Sequence, residues 1–401
     1  MKLQCLPLLL PCLSACVSGS YVLADKDAPV APLAAQIATA FAHKDVVFLG
    51  EVHDSDEGHR LQLAIVTELA ATRGRLVISM EMFERDVQPV LDSWLAGGID
   101  DAEFKKRARP WPNYDQHYRP ILALAKQRGW PVVAANTPRD LARKAAREGL
   151  AAVSGDPHAA ATTTAPRDAY WQAFGEALHE DVPPAQRMPE TVLYQMYTAQ
   201  CLKDDTMAES IAKVASRGGA PVVHFCGSFH SDFRRGTVER LVQRQPALQI
   251  GVLAMHAQKD PHAALESRKR GAGDFVVVVR EKERKKDEGN PHMPASRPAS
   301  TASQPAAAAP DDERPGLGLM PDYEGDGMGM PVASVRDDGP AAKAGIQAGD
   351  LIVSLAGEEI RDARTYMEAL GKQKVGAEVE VGLMRAGKLQ KVKVTIGVSR
   401  R

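Results

Sequence analysis

The chain has 401 residues, a formal net charge of -1 and only 5% aromatic residues. That balance gives no global attraction to nucleic acid or to an anionic surface, and so few aromatics weaken any idea of a large stacking surface. Hydrophobic residues make up 44% of the chain, enough for a real core, and the length suggests more than one domain.

In chain order, Met1-Lys2 supplies a minimal positive start, Leu6 to Leu10 is a short apolar run, and Leu13-Ser-Ala-Cys16 places small residues before a cysteine. This reads as a secretory signal, residues 1–15, too short to span a bilayer. Leu-Ser-Ala-Cys resembles the bacterial lipobox, which makes Cys16 the expected lipidated first residue; the plainer alternative is an ordinary signal cut a few residues later. Two cysteines then follow, Cys201 and Cys226. An exported location permits a disulfide between them, although Cys226 reads as a small buried residue near a strand end. Residues 16–31 look like a tether.

From residue 32 the pattern alternates. A helix is expected over Ala34–Ala42, then a strand that ends in Gly50-Glu-Val-His53. Asp56–Thr72 carries apolar residues at helical spacing, with Asp54, Ser55 and Asp56 placed to cap it. Arg75–Met82 is a second strand, with Glu81 near its end. Helices are expected over Asp86–Leu95, Ala102–Ala108 and Ile121–Arg128, with Trp111–Pro120 an aromatic, proline-punctuated loop. Trp130–Ala135 is a third strand and Arg139–Glu148 a further helix. Gly149–Gln186 is poor in strand signals and reads as an inserted helical cap. Pro189–Ala215 is one long helix. A strand then runs from Pro221 into Gly227-Ser-Phe-His230, a helix covers Thr237–Gln243, and strands cover Gln249–Met255 and Asp274–Arg280. Strand–helix alternation of this kind predicts an α/β fold, a mostly parallel sheet flanked by helices.

Glu51, His53, Glu81 and His230 all fall at or just past predicted strand ends. Chemistry in open α/β sheets collects outside the carboxyl ends of the strands, so the two Gly-x-x-His segments and Glu81 are expected to meet in one pocket. The glycines are expected to leave the backbone free to turn. Two imidazoles and two carboxylates suit general acid–base catalysis, and His53, Glu81 and His230 suit a divalent metal. A single Gly-x-x-His would more simply be a hydrogen-bonded strand terminus; two copies with Glu81 favour a site. His59 reads as a surface or capping neighbour at the helix start, with a role in the site left open, and His224 as structural. Asp204 and Asp205 either face solvent or reach the pocket. No Gly-x-Ser-x-Gly elbow is present, which counts against an ordinary serine hydrolase.

Gly50-Glu-Val-His-Asp, Met80-Glu-Met-Phe-Glu-Arg, Tyr118-Arg-Pro, Ala135-Asn-Thr-Pro-Arg, Asp204-Asp-Thr-Met-Ala and Gly227-Ser-Phe-His together resemble the ChaN family of haem-binding, iron-regulated lipoproteins, over roughly residues 32–280. The wider superfamily includes the Tiki metalloproteases and the erythromycin esterases, which share the paired Gly-x-x-His and a glutamate. The resemblance implies His53, Glu81 and His230 as a shared polar site, and haem bound at a dimer interface through a tyrosine, for which Tyr118, Tyr194 and Tyr197 are candidates. A tyrosinate suits ferric haem. No Cys-x-x-Cys-His is present, which excludes covalent haem attachment.

Residues 281–314 change character. A mixed-charge run passes into Pro, Ala and Ser, which cannot bury enough apolar surface to fold and reads as a linker. Residues 315–401 resemble a PDZ domain of the type found in bacterial proteases, through Gly316-Leu-Gly-Leu319, Gly339-Pro-Ala-Ala-Lys-Ala-Gly345 and Gly349-Asp-Leu-Ile-Val-Ser-Leu355. Short strands are expected over Val332–Val335, Leu351–Leu355, Val379–Met384 and Lys391–Ile396, and a helix over Asp362–Leu370. Gly316, Leu317, Gly318 and Leu319 would offer backbone N–H groups to a peptide carboxylate, with the peptide added as a strand. The expected protein is thus a lipid-anchored cell-envelope protein, facing the periplasm or the surface from the outer membrane. It would bind haem or iron, with a homodimer possible, and recruit a peptide or protein C-terminus. The alternative is a metal- or His-dependent hydrolase on the paired Gly-x-x-His.

Overall fold

The computed structural model describes residues 19–23, 29–111, 113–179, 187, 190–266, 269–282, 315–321, 330–360, 363–385 and 388–398. The expected signal, Cys16 and nearly all of the linker lie outside the described residues. The chain divides into two compact units, Met1–Ala165 with Thr198–Lys282, and Pro166–Tyr197 with Glu283–Arg401.

In the first unit, β1 (Gly19–Leu23), α1 (Ala31–Phe41), β2 (Val46–Glu51), α2 (Asp56–Arg73), β3 (Val77–Glu84), α3 (Gln88–Leu95), α4 (Asp101–Ala108), α5 (Arg119–Arg128), β4 (Val132–Asn136) and α6 (Arg139–Glu148) follow in order. α7 (Ala169–Leu178) and the start of the long α8 (Glu190–Ala215) fall in the second unit; from Thr198 the first unit resumes, and β5 (Val222–Gly227), α9 (Thr237–Arg244), β6 (Ile250–Gln258) and β7 (Phe275–Arg280) follow. The seven strands form one sheet in the order β1-β7-β6-β2-β5-β3-β4, and every pairing is parallel. Parallel strands require crossover helices, which cover both faces of the sheet and explain why β2 and β5 are unbroken apolar runs, buried at every position. One face packs Leu49, Ile78, Phe225 and Leu253 against Ile37, Phe41, Ile65 and Leu69. The other packs Val46, Phe48, Val222 and Val252 against Ala208, Ile211, Val238 and Leu241.

Local chemistry sets the element ends. The Ser55 hydroxyl caps α2 by accepting from Gly58 N at 3.1 Å, Asp56 and Glu57 sit in its first turn where the helix dipole favours them, and Gly74 ends it at φ 71°. Two expectations are corrected. Part of the supposed tether is a strand: β1 pairs with β7 from Gly19↔Phe275 to Leu23↔Val279, and the Tyr21 hydroxyl accepts from Gln36 Nε2 at 2.7 Å. A five-residue edge strand beside Val-Val-Val-Val gains its place from pairing, which its own short sequence does not advertise. The aromatic loop is not irregular throughout either, because Tyr114–Tyr118 forms a π-helical turn. Cys201 and Cys226 are both buried and do not form the disulfide that an exported location would permit.

In the second unit, β8 (Pro315–Gly316), β9 (Leu319–Pro321), β10 (Met330–Val335), β11 (Leu351–Leu355), β12 (Glu358–Glu359), β13 (Glu378–Arg385), β14 (Lys388–Thr395) and β15 (Gly397–Val398) pair antiparallel. With α10 (Pro340–Lys343) and α11 (Ala363–Gly371) they enclose Leu317, Val332, Ile352, Leu355, Tyr366, Val381 and Ile396. The buried Asp350 accepts from Arg385 Nε at 2.7 Å and from its terminal nitrogen at 2.6 Å. This two-pronged pair matches carboxylate geometry.

Candidate functional site

Parallel strands deliver their C-terminal residues to one end of the sheet. β2 and β5 are direct neighbours, register-paired so that Glu51 lies opposite Gly227, and β3 flanks β5 on its other side. Glu51, His53, Glu81 and His230 therefore meet at that end. Their cohesion comes from two imidazole–carboxylate groups.

The first is built on Glu51. Its Oε1 accepts from the Tyr118 hydroxyl at 2.7 Å and lies 2.8 Å from His53 Nδ1, while Oε2 accepts from Gln62 Nε2 at 3.0 Å. Burial acts to raise this carboxyl, but the His59 and His53 imidazoles and the hydrogen bonds outweigh it and hold it below the usual carboxylate range. With Nδ1 committed to Glu51, His53 presents Nε2. Its own burial opposes charging, yet Glu51 and Glu81 hold its affinity for a proton above that of an ordinary histidine.

The second group is built on His230. Nδ1 lies 2.7 Å from Asp204 Oδ1 and Nε2 lies 3.2 Å from Glu81 Oε1. Thr237 donates to the same Asp204 oxygen at 2.7 Å, and Gly227 N donates to Glu81 Oε2 at 2.8 Å. Desolvation would lower the His230 pKa, but the two carboxylates override it and push it up to about 10. Glu81, against its own burial, is drawn well below the usual range by His230 and His53. His230 is thus an imidazolium clamped by two carboxylates at neutral pH.

The two groups converge over Gly227. A Cβ there would stand 2.8 Å from His53 Nε2 and 3.9 Å from Glu81 Oε2. His53 keeps 22% of its side chain in solvent against 8% for His230, so His53 is the histidine nearer the opening. Trp111 meets its ring edge-on at 5.0 Å.

The glycines work differently from the expectation. Neither Gly50 nor Gly227 has a positive φ, and Gly227 sits at φ -54°, ψ 139°, open to any residue. Both are needed for close approach. A Cβ on Gly50 would lie 2.7 Å from the Leu253 carbonyl and 2.8 Å from Ser228 Oγ, which itself accepts from Met255 N at 2.8 Å. Ser228 is a sheet fastener here. Because backbone blocks one side, Gly50→Ala is expected to destabilise the fold by about 1–3 kcal/mol, the usual cost of overpacking, read as a lower urea midpoint.

Further side chains join the four strand-end residues. His59 is buried; its Nε2 lies 3.0 Å from the His53 carbonyl, to which Asn113 Nδ2 also donates at 2.7 Å. Its ring stacks on His117 at 4.1 Å, and His117 Nε2 lies 2.8 Å from Asp56 Oδ1. The histidine of Tyr-Asp-Gln-His-Tyr was the available signal. Asp204 reaches the site, whereas Asp205 accepts from Arg244 at 2.8 Å. His224 is structural, 2.9 Å from Ser79 Oγ, with burial pushing its pKa down to about 3.

The metal expectation fares less well. Among the described residues no group of three or more His, Cys, Asp and Glu side chains is arranged to hold an ion. His230 turns both ring nitrogens to carboxylates, leaving His53, Glu81 and His230 without a shared open point. Of the tyrosines, Tyr118 is fully buried and commits its hydroxyl to Glu51, which pushes its pKa far up beyond what burial alone does. Such a phenol is a poor iron ligand. Tyr197 is buried and donates to the Pro166 carbonyl at 2.9 Å. Tyr194 is half-buried, edge-on to Trp171 at 5.6 Å, with the Arg167 guanidinium 4.5 Å above its ring.

In the second unit the Gly-Leu-Gly-Leu turn lies between β8 and β9. Gly318 is at φ +68°, and a Cβ there would meet Gly339 Cα at 3.1 Å, so a glycine is required on both counts. Arg336 N donates to the Gly318 carbonyl at 2.9 Å and Ala341 N to the Leu317 carbonyl at 2.8 Å.

An all-parallel α/β unit with a buried histidine–carboxylate cluster at its strand ends and a small antiparallel unit with a glycine-pinned turn define a two-module protein. The chain belongs to the haem-binding uptake family ChaN of the Tiki superfamily, whose profile matches residues 37–241, and residues 309–396 match the PDZ domain. Among solved structures, one described as cofacial heme binding to ChaN of Campylobacter jejuni is similar at 16% identity and TM-score 0.47, covering 60% of this chain and 89% of that one. Probable periplasmic serine endoproteases of the DegP-like type are similar over the C-terminal region. That of Pseudomonas fluorescens is 42% identical over 69 residues and that of Brucella suis 41% over 68. The match takes in 17% of this chain and only 14% and 13% of those relatives.

Proposed function

We propose that this is an envelope protein, lipid-anchored through Cys16, that binds haem through its ChaN-like module (residues 32–280) and a peptide or protein C-terminus through its PDZ module (residues 315–401). A linker over residues 281–314 joins the modules. The observation that supports haem most directly is the half-buried Tyr194. It offers a hard oxygen ligand beside the half-buried Trp171, with the Arg167 guanidinium, which also pairs with Glu190, 4.5 Å above its ring. These residues fit the group, and haem here is cargo, with its iron bound as part of it. Family membership supports the same reading. A second copy of the chain would supply the other side of a dimeric haem site, and an outer-membrane lipoprotein facing the periplasm or the surface is the corresponding location.

Haemin titration of the purified protein is expected to give a Soret shift. Tyr194→Phe is expected to weaken binding by about tenfold or more, about 1.4 kcal/mol, while Tyr197→Phe and Tyr118→Phe retain it. A titration without a Soret change, or one indifferent to Tyr194→Phe, sinks the haem assignment.

The facing histidine–carboxylate groups favour a second reading, hydrolysis. His53, oriented by Glu51 through Nδ1, would take a proton from water at Nε2. Turnover lost in His53→Ala with haem affinity unchanged would select it.

A further inference from the structure

We infer that the amino-terminal edge of the parallel sheet is a docking face for an anionic lipid bilayer, and that it holds the polar site pointing away from the membrane. The inference rests on the anchored reading for its source of attachment and on the fold for its direction.

In an all-parallel sheet every strand starts at one end and finishes at the other. The histidine–carboxylate site lies at the finishing end, and six residues of β2 separate the two ends by about 20 Å. β1 begins at Gly19 and runs parallel to β7. Cys16 precedes it by three residues, a reach of at most about 10 Å. An acyl chain on Cys16 would therefore bring the starting end of the sheet to the headgroups, with no long tether to let the unit turn over.

That end carries the matching charge. The helices return antiparallel to the strands, so the loops that lead into β2, β3, β4 and β5 gather there, carrying Lys44, Arg73, Arg75, Arg128 and Arg217. The four arginines are exposed. Arg75, Arg128 and Arg217 make no ion pair among the described residues. Arg75 and Arg217 stand beyond the ends of α2 and α8, so dipole compensation within a last turn does not account for them. Of the acids at the same edge, Asp274 pairs with Arg234 at 2.8 Å, and Asp45, which accepts from Gln249 N at 2.8 Å, stands beside Lys44 and offsets it, which leaves the arginines as the excess charge. Arginines at the opposite end differ, Arg109 being paired with Glu84 and Asp86 and Arg85 with Glu209. Basic residues near a bilayer surface attract anionic headgroups, which suits a face of unpaired arginines and not the ion-paired one.

The test uses the full chain reconstituted in vesicles of phosphatidylglycerol and phosphatidylethanolamine, or of phosphatidylcholine alone. A fluorophore is placed through Ala71→Cys at the starting end or Lys259→Cys at the finishing end; Cys201 and Cys226 are buried. A headgroup-bound quencher is expected to quench the label at 71 severalfold more than that at 259 in anionic vesicles. Arg75→Gln/Arg128→Gln/Arg217→Gln is expected to abolish the difference, and salt to reduce it. Equal quenching at both positions, stronger quenching at 259, or indifference to lipid charge overturns the inference. Mass spectrometry of Cys16 separates the two readings. If the cysteine is unmodified the anchor fails, and quenching with the Cys16→Ser chain, labelled at 71 or 259 and added to vesicles, still decides the docking face. If it is acylated and the labels are quenched alike, the anchor stands and the docking face does not.

Discussion

His230→Ala is expected to lower the stability of the first unit by about 3–5 kcal/mol near neutral pH, because it strands Asp204 and Glu81 as buried carboxylates without their shared cation. The native pair has a defined pH window. The His230 pKa rises on folding from 6.5 to about 10, so its contribution is complete below about 6.5 and is lost as pH climbs through 10. Glu81 moves the other way, below its ordinary 4.5, so its contribution is present above 4.5 and is lost as pH falls toward its folded value. The clamp therefore stabilises most between these ordinary values and still strongly at neutrality. Urea midpoints followed across pH should show a plateau there in the native protein, and the deficit of His230→Ala should shrink in acid, where the stranded carboxylates can take up protons. A deficit independent of pH would show that lost packing, and not charge, is what the substitution removes.

Gly227→Ala is expected to separate the site from the fold. The backbone there suits alanine, so no conformational strain arises. The new methyl would collide with the His53 ring at 2.8 Å from Nε2 and 2.9 Å from Cε1. That ring is partly exposed and can rotate outward, at the expense of its bond to Glu51 and its approach to Glu81. Stability should fall by only about 1 kcal/mol, while the titration of His53, followed by its ring resonance in NMR, should move down toward that of an ordinary histidine as its carboxylates recede. Any hydrolytic turnover should drop by at least about a hundredfold, as for a displaced general base. An unchanged His53 titration would refute the convergence of the two groups over this glycine.

Much of this was legible along the chain. Apolar β-branched runs bounded by turns marked β2, β3, β5 and β7, and helical spacing marked α2 and α8. The two Gly-x-x-His segments with Glu81 marked the site because parallel strands carry such residues to one edge. Other parts depend on partners distant in sequence. β1 is a strand because β7 offers it an edge. His59 and His117 matter because α2 and the π-helical turn stack them, and neither has a local pattern that says so. Asp204 and Asp205 are adjacent and chemically identical. Only the helix phase of α8 sends one to His230 and the other to Arg244.

The amino-acid sequence by itself determined the parallel α/β class with a small β-rich second module, since these follow from periodicity, turn chemistry and residue type, and it pointed to Glu51, His53, Glu81 and His230 at the strand ends. Tertiary structure alone decided what those residues do together. It closes His230 between two carboxylates, withdraws Tyr118 from the surface to serve Glu51, and uses Gly50 and Gly227 for approach and not for turning. The physical reason is that proton affinity, ligand geometry and close contact are set by distances across the sheet, which local sequence does not encode.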